Sequence, residues 1–280
     1  MKAVVGIDLE GHYVSVLSLL SRLNFALDET ALLHVNEPIA TAMPYSAYGA
    51  LTETEEILEA QKKAAEESLD LAEKFASERG LVAKKLVAEG FPAQEMVDYG
   101  AEIQADLLAV TSTVTGTFDA VLGGSIARGL AISAKHSVLV ARNTGESSGP
   151  VTAVFAVDAS PYCEQCVEQL AAFAPKGLSH VTLLTVKEST GHGINALTEG
   201  ALKEYDEILA GLLKDAGIST SVEVVTGRLE DSIHRVMEET GADLLILGSQ
   251  SHGILDRLLE GSTALHEVIH EKYPVLLVRP

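Results

Sequence analysis

Tryptophan is absent from the 280 residues, and aromatic side chains make up only 5%. A core of this size must then come from Val, Leu, Ile and Ala, a mix that suits a parallel sheet covered by helices. Two cysteines, Cys163 and Cys166, are too few for a disulfide framework. No apolar run reaches the ~18–20 residues of a membrane span. Asp8 and Glu10 interrupt the apolar start, which argues against a signal peptide. These absences lead us to expect a cytoplasmic protein with no membrane partner. Basic residues are also scarce. There are 20 Lys and Arg against 40 Asp and Glu, a net charge of −20. A surface this acidic repels phosphate backbones, so nucleic acid is not an expected partner. Any bound anion must be held by local dipoles and backbone N–H groups.

What is present is ordinary for a globular chain: 47% hydrophobic and 21% charged residues, which excludes disorder. At about 150 residues per domain, the length suggests two. Internal repeats support that division. Ala105-Asp106-Leu107-Leu108 recurs as Ala242-Asp243-Leu244-Leu245, and Gly124-Ser125 as Gly261-Ser262. Ser137–Arg142 recurs as Pro274–Arg279 at the same offset of 137. Nearer the start of each half the offset is larger: Asp8 matches Asp158, and His34-Val35 matches Thr185-Val186. The first half therefore carries extra chain, placed at Ile39–Leu51. The expected domains are 1–142 and 151–280, joined by a linker at 143–150.

Each half alternates apolar strands with amphipathic helices, five strands and about four helices apiece. Strict alternation predicts parallel strands with crossover helices, hence two tandem doubly wound α/β domains of the Rossmann-like kind. We expect them to pack through their last strands, Val138–Ala141 and Val275–Val278. In such sheets ligands bind beyond the carboxyl ends of the strands. Asp8 and Asp158 each follow a first strand, where a carboxylate can hold a ribose hydroxyl or simply shape the turn. After the fourth strand of the second half comes Gly248-Ser249-Gln250-Ser251-His252-Gly253, and then Gly261-Ser262 opening a helix. Small residues and a helix N-terminus suit a phosphate.

With Asp158 and the spacing Gly248-x2-Ser251-x9-Gly261-Ser262, the chain resembles the universal stress protein family, in two tandem copies. The resemblance implies an adenine-nucleotide-alpha-hydrolase-like fold and binding of ATP or another adenine nucleotide, with Mg2+ as its companion. In nucleotide-binding members the Asp holds the ribose, an aliphatic residue ending the second strand meets adenine, and the glycine loop wraps the phosphates. Carried onto this sequence, that gives Asp158, Val186, Leu247, Gly248, Ser251, Gly261 and Ser262 in the second half. The first half offers Asp8, Val35, Gly124 and Ser125. Ser251 stands where the family has glycine, and Glu260 adds a carboxylate near the phosphate path. Thr111 and Val114 replace both loop glycines of the first copy, whose site we read as degenerate. The implied role is stress-response sensing or interaction, with an intramolecular pseudo-dimer and room for a homodimer. A dimeric scaffold without nucleotide is the alternative, and a slow ATP hydrolase a weaker one.

Three further features need weighing. His266-Glu267-Val268-Ile269-His270 has the spacing of a zinc-protease helix, but the usual third ligand downstream is missing. Cys163 and Cys166 resemble a redox pair. Their spacing with Val167 and Leu170 instead places both thiols on a core-facing stripe. The segment 39–51 is apolar and nearly uncharged, as a cover for a pocket or a neighbouring surface would be.

Overall fold

A computed structural model of the chain describes residues 1–38, 51–112, 125–142, 148–187, 198–248 and 273–280. Its first half runs β1 (Lys2–Gly6), α1 (Tyr13–Leu23), β2 (Glu29–Asn36), α2 (Leu51–Ser77), β3 (Ala83–Glu89), α3 (Pro92–Ile103), β4 (Leu107–Ser112), α4 (Ser125–Ser133) and β5 (Ser137–Arg142). The second half runs β6 (Val151–Val157), α5 (Pro161–Phe173), β7 (Leu178–Lys187), α6 (Glu199–Asp215), β8 (Ser219–Thr226), α7 (Leu229–Thr240), β9 (Leu244–Gly248) and β10 (Val275–Val278). The helix expected at Ser262–His270, the His266/His270 pair and the 39–50 segment lie outside the described residues.

The two expected five-stranded sheets form one ten-stranded sheet, in the order β3-β2-β1-β4-β5-β10-β9-β6-β7-β8. Every neighbouring pair is parallel except β5 and β10, which run antiparallel with Leu139 opposite Leu276. Thus the last strands pair edge to edge through backbone hydrogen bonds. That pairing removes two apolar edges that would otherwise invite aggregation. Among the described residues the outer strands are β3 and β8, and Lys84 and Lys85 mark the former.

Alternation along the strands divides the core into two layers. Ala3, Val5, Leu139, Phe155 and Leu276 face a layer with α1, α2, α5 and α6. Val4, Val138, Val140, Leu245 and Leu277 face a second layer with α3, α4 and α7. Both layers run without a break across the β5–β10 seam. The repeated Ala-Asp-Leu-Leu motif gains a reason here. Asp106 Oδ2 accepts from the backbone N–H of Lys2 at 2.7 Å, and Asp243 Oδ2 from that of Thr152 at 3.0 Å. Each Asp therefore ties the start of its half's fourth strand to that of the first.

Several contacts cross between the halves. Arg22 donates to Asp243 Oδ1 at 3.1 Å and to the Gly149 carbonyl at 3.2 Å. Phe25 meets Phe173 edge to face at 6.1 Å. The Arg279 guanidinium donates to the carbonyls of Ala131 and His136, closing the C-terminal end of α4 from the other half. Cys163 and Cys166 are buried thiols, as their stripe predicts. Burial pushes the Cys163 thiol up, the direction opposite to that of a reactive thiolate.

Candidate functional site

In each half the first strand lies between the second and the fourth, so the strand order reverses beside it. This is the crevice where open α/β sheets take ligands. In the first half it contains a cavity of about 250 Å3 lined by Asp8, Glu10, Val35, Met96, Val110 and Thr111, among others. His34 and Glu37 also line it. The structure therefore brings together Asp8 and Val35, two of the four candidates of the first copy. Ser125 opens α4, and Gly124 lies outside the described residues. No Lys or Arg lines this cavity among the described residues, and 113–124 contains none in sequence.

The β1–α1 loop is held from three sides. Asp8 Oδ1 accepts from the His12 backbone N–H at 2.9 Å. The Ser68 hydroxyl donates to the Asp8 carbonyl at 2.7 Å, and Thr111 Oγ1 to the His12 carbonyl at 2.9 Å. His34 is buried with Nδ1 2.8 Å from the Ile7 carbonyl. A carbonyl can only accept, so Nδ1 carries the proton. Tyr13 titrates higher than usual because it is desolvated, and the charge of Asp8 adds to the effect.

In the second half Asp158 follows β6, and Ser160 donates to its Oδ1 through both backbone N–H and hydroxyl. The Ser160 hydroxyl in turn caps α5 by accepting from the Cys163 N–H at 3.1 Å. Asp8 and Asp158 thus both do the turn-shaping work that an isolated Asp is expected to do. Val186, next to last in β7, is buried, and the Leu247 side chain is fully buried in the core. Of Leu247, only the backbone can face a ligand. A Cβ at Gly248 would lie 3.1 Å from Cys166 Sγ, so close packing on α5 accounts for that glycine. Ser251, Gly261 and Ser262 lie outside the described residues.

The second half also holds a group the sequence did not flag. Asp206 on α6 is 1% exposed, and its Oδ2 has no hydrogen-bond partner among the described residues. Burial raises its pKa to about 6. Tyr205 beside it donates to the Ser160 carbonyl at 3.3 Å, and burial raises its phenol to about 12. Glu10, His12 and Glu37 were also missed. Comparing Asp8-Leu9-Glu10-Gly11-His12 with Asp158-Ala159-Ser160-Pro161-Tyr162 would have exposed the first two.

The universal stress protein family model matches twice, over residues 3–142 and 152–279. A universal stress protein of Synechocystis sp. is 28% identical over 132 residues, a match spanning 45% of this chain and 42% of that relative's length. Among solved structures, a universal stress protein from Archaeoglobus fulgidus aligns over 99% of this chain and 96% of its own, with 17% identity and a TM-score of 0.71. A protein from Pseudomonas aeruginosa PAO1 aligns over 100% and 92%, with 14% identity and a TM-score of 0.58. These two establish likeness of fold. The two-copy match over nearly the whole length decides the family: the chain belongs to the universal stress protein family, as a tandem member.

Proposed function

We propose that this chain is a stress-response module that binds an adenine nucleotide, ATP, in its second half and acts by sensing or interaction. The observation that carries the reading is the placement of Asp158 and Gly248 at the carboxyl ends of the adjacent strands β6 and β9, at the switch point of strand order. A carboxylate there suits a ribose hydroxyl, and the end of β7 at Val186 offers an apolar neighbour for a base. The phosphates, with Mg2+ as counter-ion, would fall to Ser251, Gly261 and Ser262. Charge favours the second half over the first, whose cavity presents Asp8, Glu10 and Glu37 and no Lys or Arg among the described residues. Three carboxylates there oppose a triphosphate. We place the protein in the cytoplasm and allow it to pair as a homodimer through surfaces other than β5 and β10, which are already joined.

Calorimetric titration of ATP into wild type, Asp158→Ala and Asp8→Ala tests the assignment. The expected result is one site per chain, weakened at least about tenfold by Asp158→Ala, the scale of one lost charged hydrogen bond. Asp8→Ala should leave affinity within about twofold. Two equivalent sites, or selective loss with Asp8→Ala, would reverse the assignment. No measurable ATP binding, with no nucleotide released from purified protein in mass spectra, would leave the dimeric scaffold.

A further inference from the structure

The cavity of the first half combines features that do not suit an anion and do suit a cation. Asp8, Glu10 and His12 each offer a ligand atom, and these atoms lie within 4.8 Å of one another. Asp8 Oδ2 and His12 Nδ1 are 3.5 Å apart. Two ligands on a tetrahedral ion with bonds of about 2.1 Å stand roughly 3.4 Å apart. The Asp–His pair therefore already has the spacing of a ligand pair, and a side-chain rotation of exposed Glu10 supplies the third. The pair is also held in place. Asp8 Oδ1 is occupied by the His12 N–H, which turns Oδ2 toward the imidazole, and bonds from Ser68 and Thr111 fix the carbonyls of Asp8 and His12. His12 occupies the N-cap position of α1, yet its side chain makes no capping bond.

The two halves differ at these positions in a consistent way. The second half keeps the aspartate, but Ser160 and Tyr162 stand where the first has Glu10 and His12. The half that lacks the glycines of an anion-binding loop is thus the half that carries the extra carboxylate and the imidazole. Glu37 and the absence of Lys or Arg from the described lining extend the negative field into the cavity. The N-terminal dipole of α1 works against a cation, but two formal carboxylate charges outweigh its fractional charge.

We propose that Asp8, Glu10 and His12 bind a divalent first-row metal ion at the mouth of the first-half cavity, with solvent completing its coordination. Two carboxylate oxygens and one imidazole nitrogen are donors such ions accept. The site needs no nucleotide, so it stands or falls separately from the second half.

Zn2+ alone, titrated calorimetrically into chelator-stripped full-length protein without nucleotide, provides the test. All proteins carry His266→Ala and His270→Ala, so that the His-Glu-x-x-His segment cannot contribute. The expected result is one Zn2+ per chain, with affinity lowered at least about tenfold by His12→Ala and by Glu10→Gln, as for loss of a direct ligand. Co2+ loading should give visible absorption bands that His12→Ala abolishes. No Zn2+ binding in the His266→Ala/His270→Ala background, or a loss of less than tenfold in both variants, would overturn the site. Glu10 is exposed, so Glu10→Gln keeps the test valid even where His12→Ala disturbs the loop.

Discussion

Asp206 is a carboxylate in a place built for a leucine. Its counterpart 137 positions earlier is Leu69, a fully buried core residue of α2. On α6 it shares a stripe with Leu202, Leu209 and Leu213, all buried. Burial alone dominates the rise of its pKa to about 6, and Glu207 adds to it, while the Thr185 hydroxyl acts the other way. Because the folded value lies above that of the unfolded chain, the fold prefers Asp206 protonated. The penalty is absent below about pH 4, grows as pH rises through 6 and is constant above, at roughly 2–3 kcal/mol by linkage. Asp206→Asn should therefore match wild type in melting temperature near pH 4 and exceed it increasingly up to pH 7. Equal pH profiles for the two proteins would show that Asp206 ionises without cost. The sequence gives no warning of this residue, because a single Asp in a charged helix reads as solvated until the helix's orientation is known.

Helices and strands were far more legible than their connections. The alternation calls for five strands in each half, and the structure has ten among the described residues, with the two closing strands where the apolar runs put them. The helix that opens at Pro161 stops at Phe173, where Ala174 turns left-handed as its C-cap. Less legible was why Arg142 and Arg279 repeat. Arg279 crosses from β10 to donate to the carbonyls of Ala131 and His136, a role that follows from the antiparallel seam and not from local pattern. Burial lowers its pKa. Arg279→Met would keep the stem and leave those carbonyls without their charged donor, at a cost of about 2 kcal/mol. Arg279→Lys should recover only part, since an ammonium lacks the planar fork that reaches two carbonyls. Urea unfolding checks both: the midpoint should fall in the order wild type, Lys, Met, with the slope unchanged. A Met variant as stable as wild type would mean that the α4 end is satisfied by other donors.

The repeat suggested two domains, and the structure joins them more closely than a repeat alone requires. The evenly spread charge, −9 over 1–145 and −11 over 146–280, gives no sign of how the halves meet. The seam is visible in the sequence only as two apolar closing strands, and its antiparallel pairing follows from three-dimensional closeness of their edges. One core layer runs from Ala3 to Val278 across both halves. Gly177 adds a second seam. A Cβ there would lie 1.7 Å from the Arg22 carbonyl oxygen, because the end of α1 docks on this turn. The Gly177 N–H also donates to the Leu23 carbonyl at 3.0 Å. With β5–β10, Arg22–Asp243 and Phe25–Phe173, unfolding either half would expose apolar core of the other and strip a strand of its partner. Calorimetry of the intact chain should then give one transition, with equal calorimetric and van't Hoff enthalpies. Gly177→Ala should lower that transition as a whole, by about 2–3 kcal/mol or roughly 3–5 °C, since backbone must move to make room. Two resolved transitions in wild type would mean that the halves unfold independently despite the shared sheet. A Gly177→Ala variant that splits one transition into two would place the coupling at this turn and not at the β5–β10 seam.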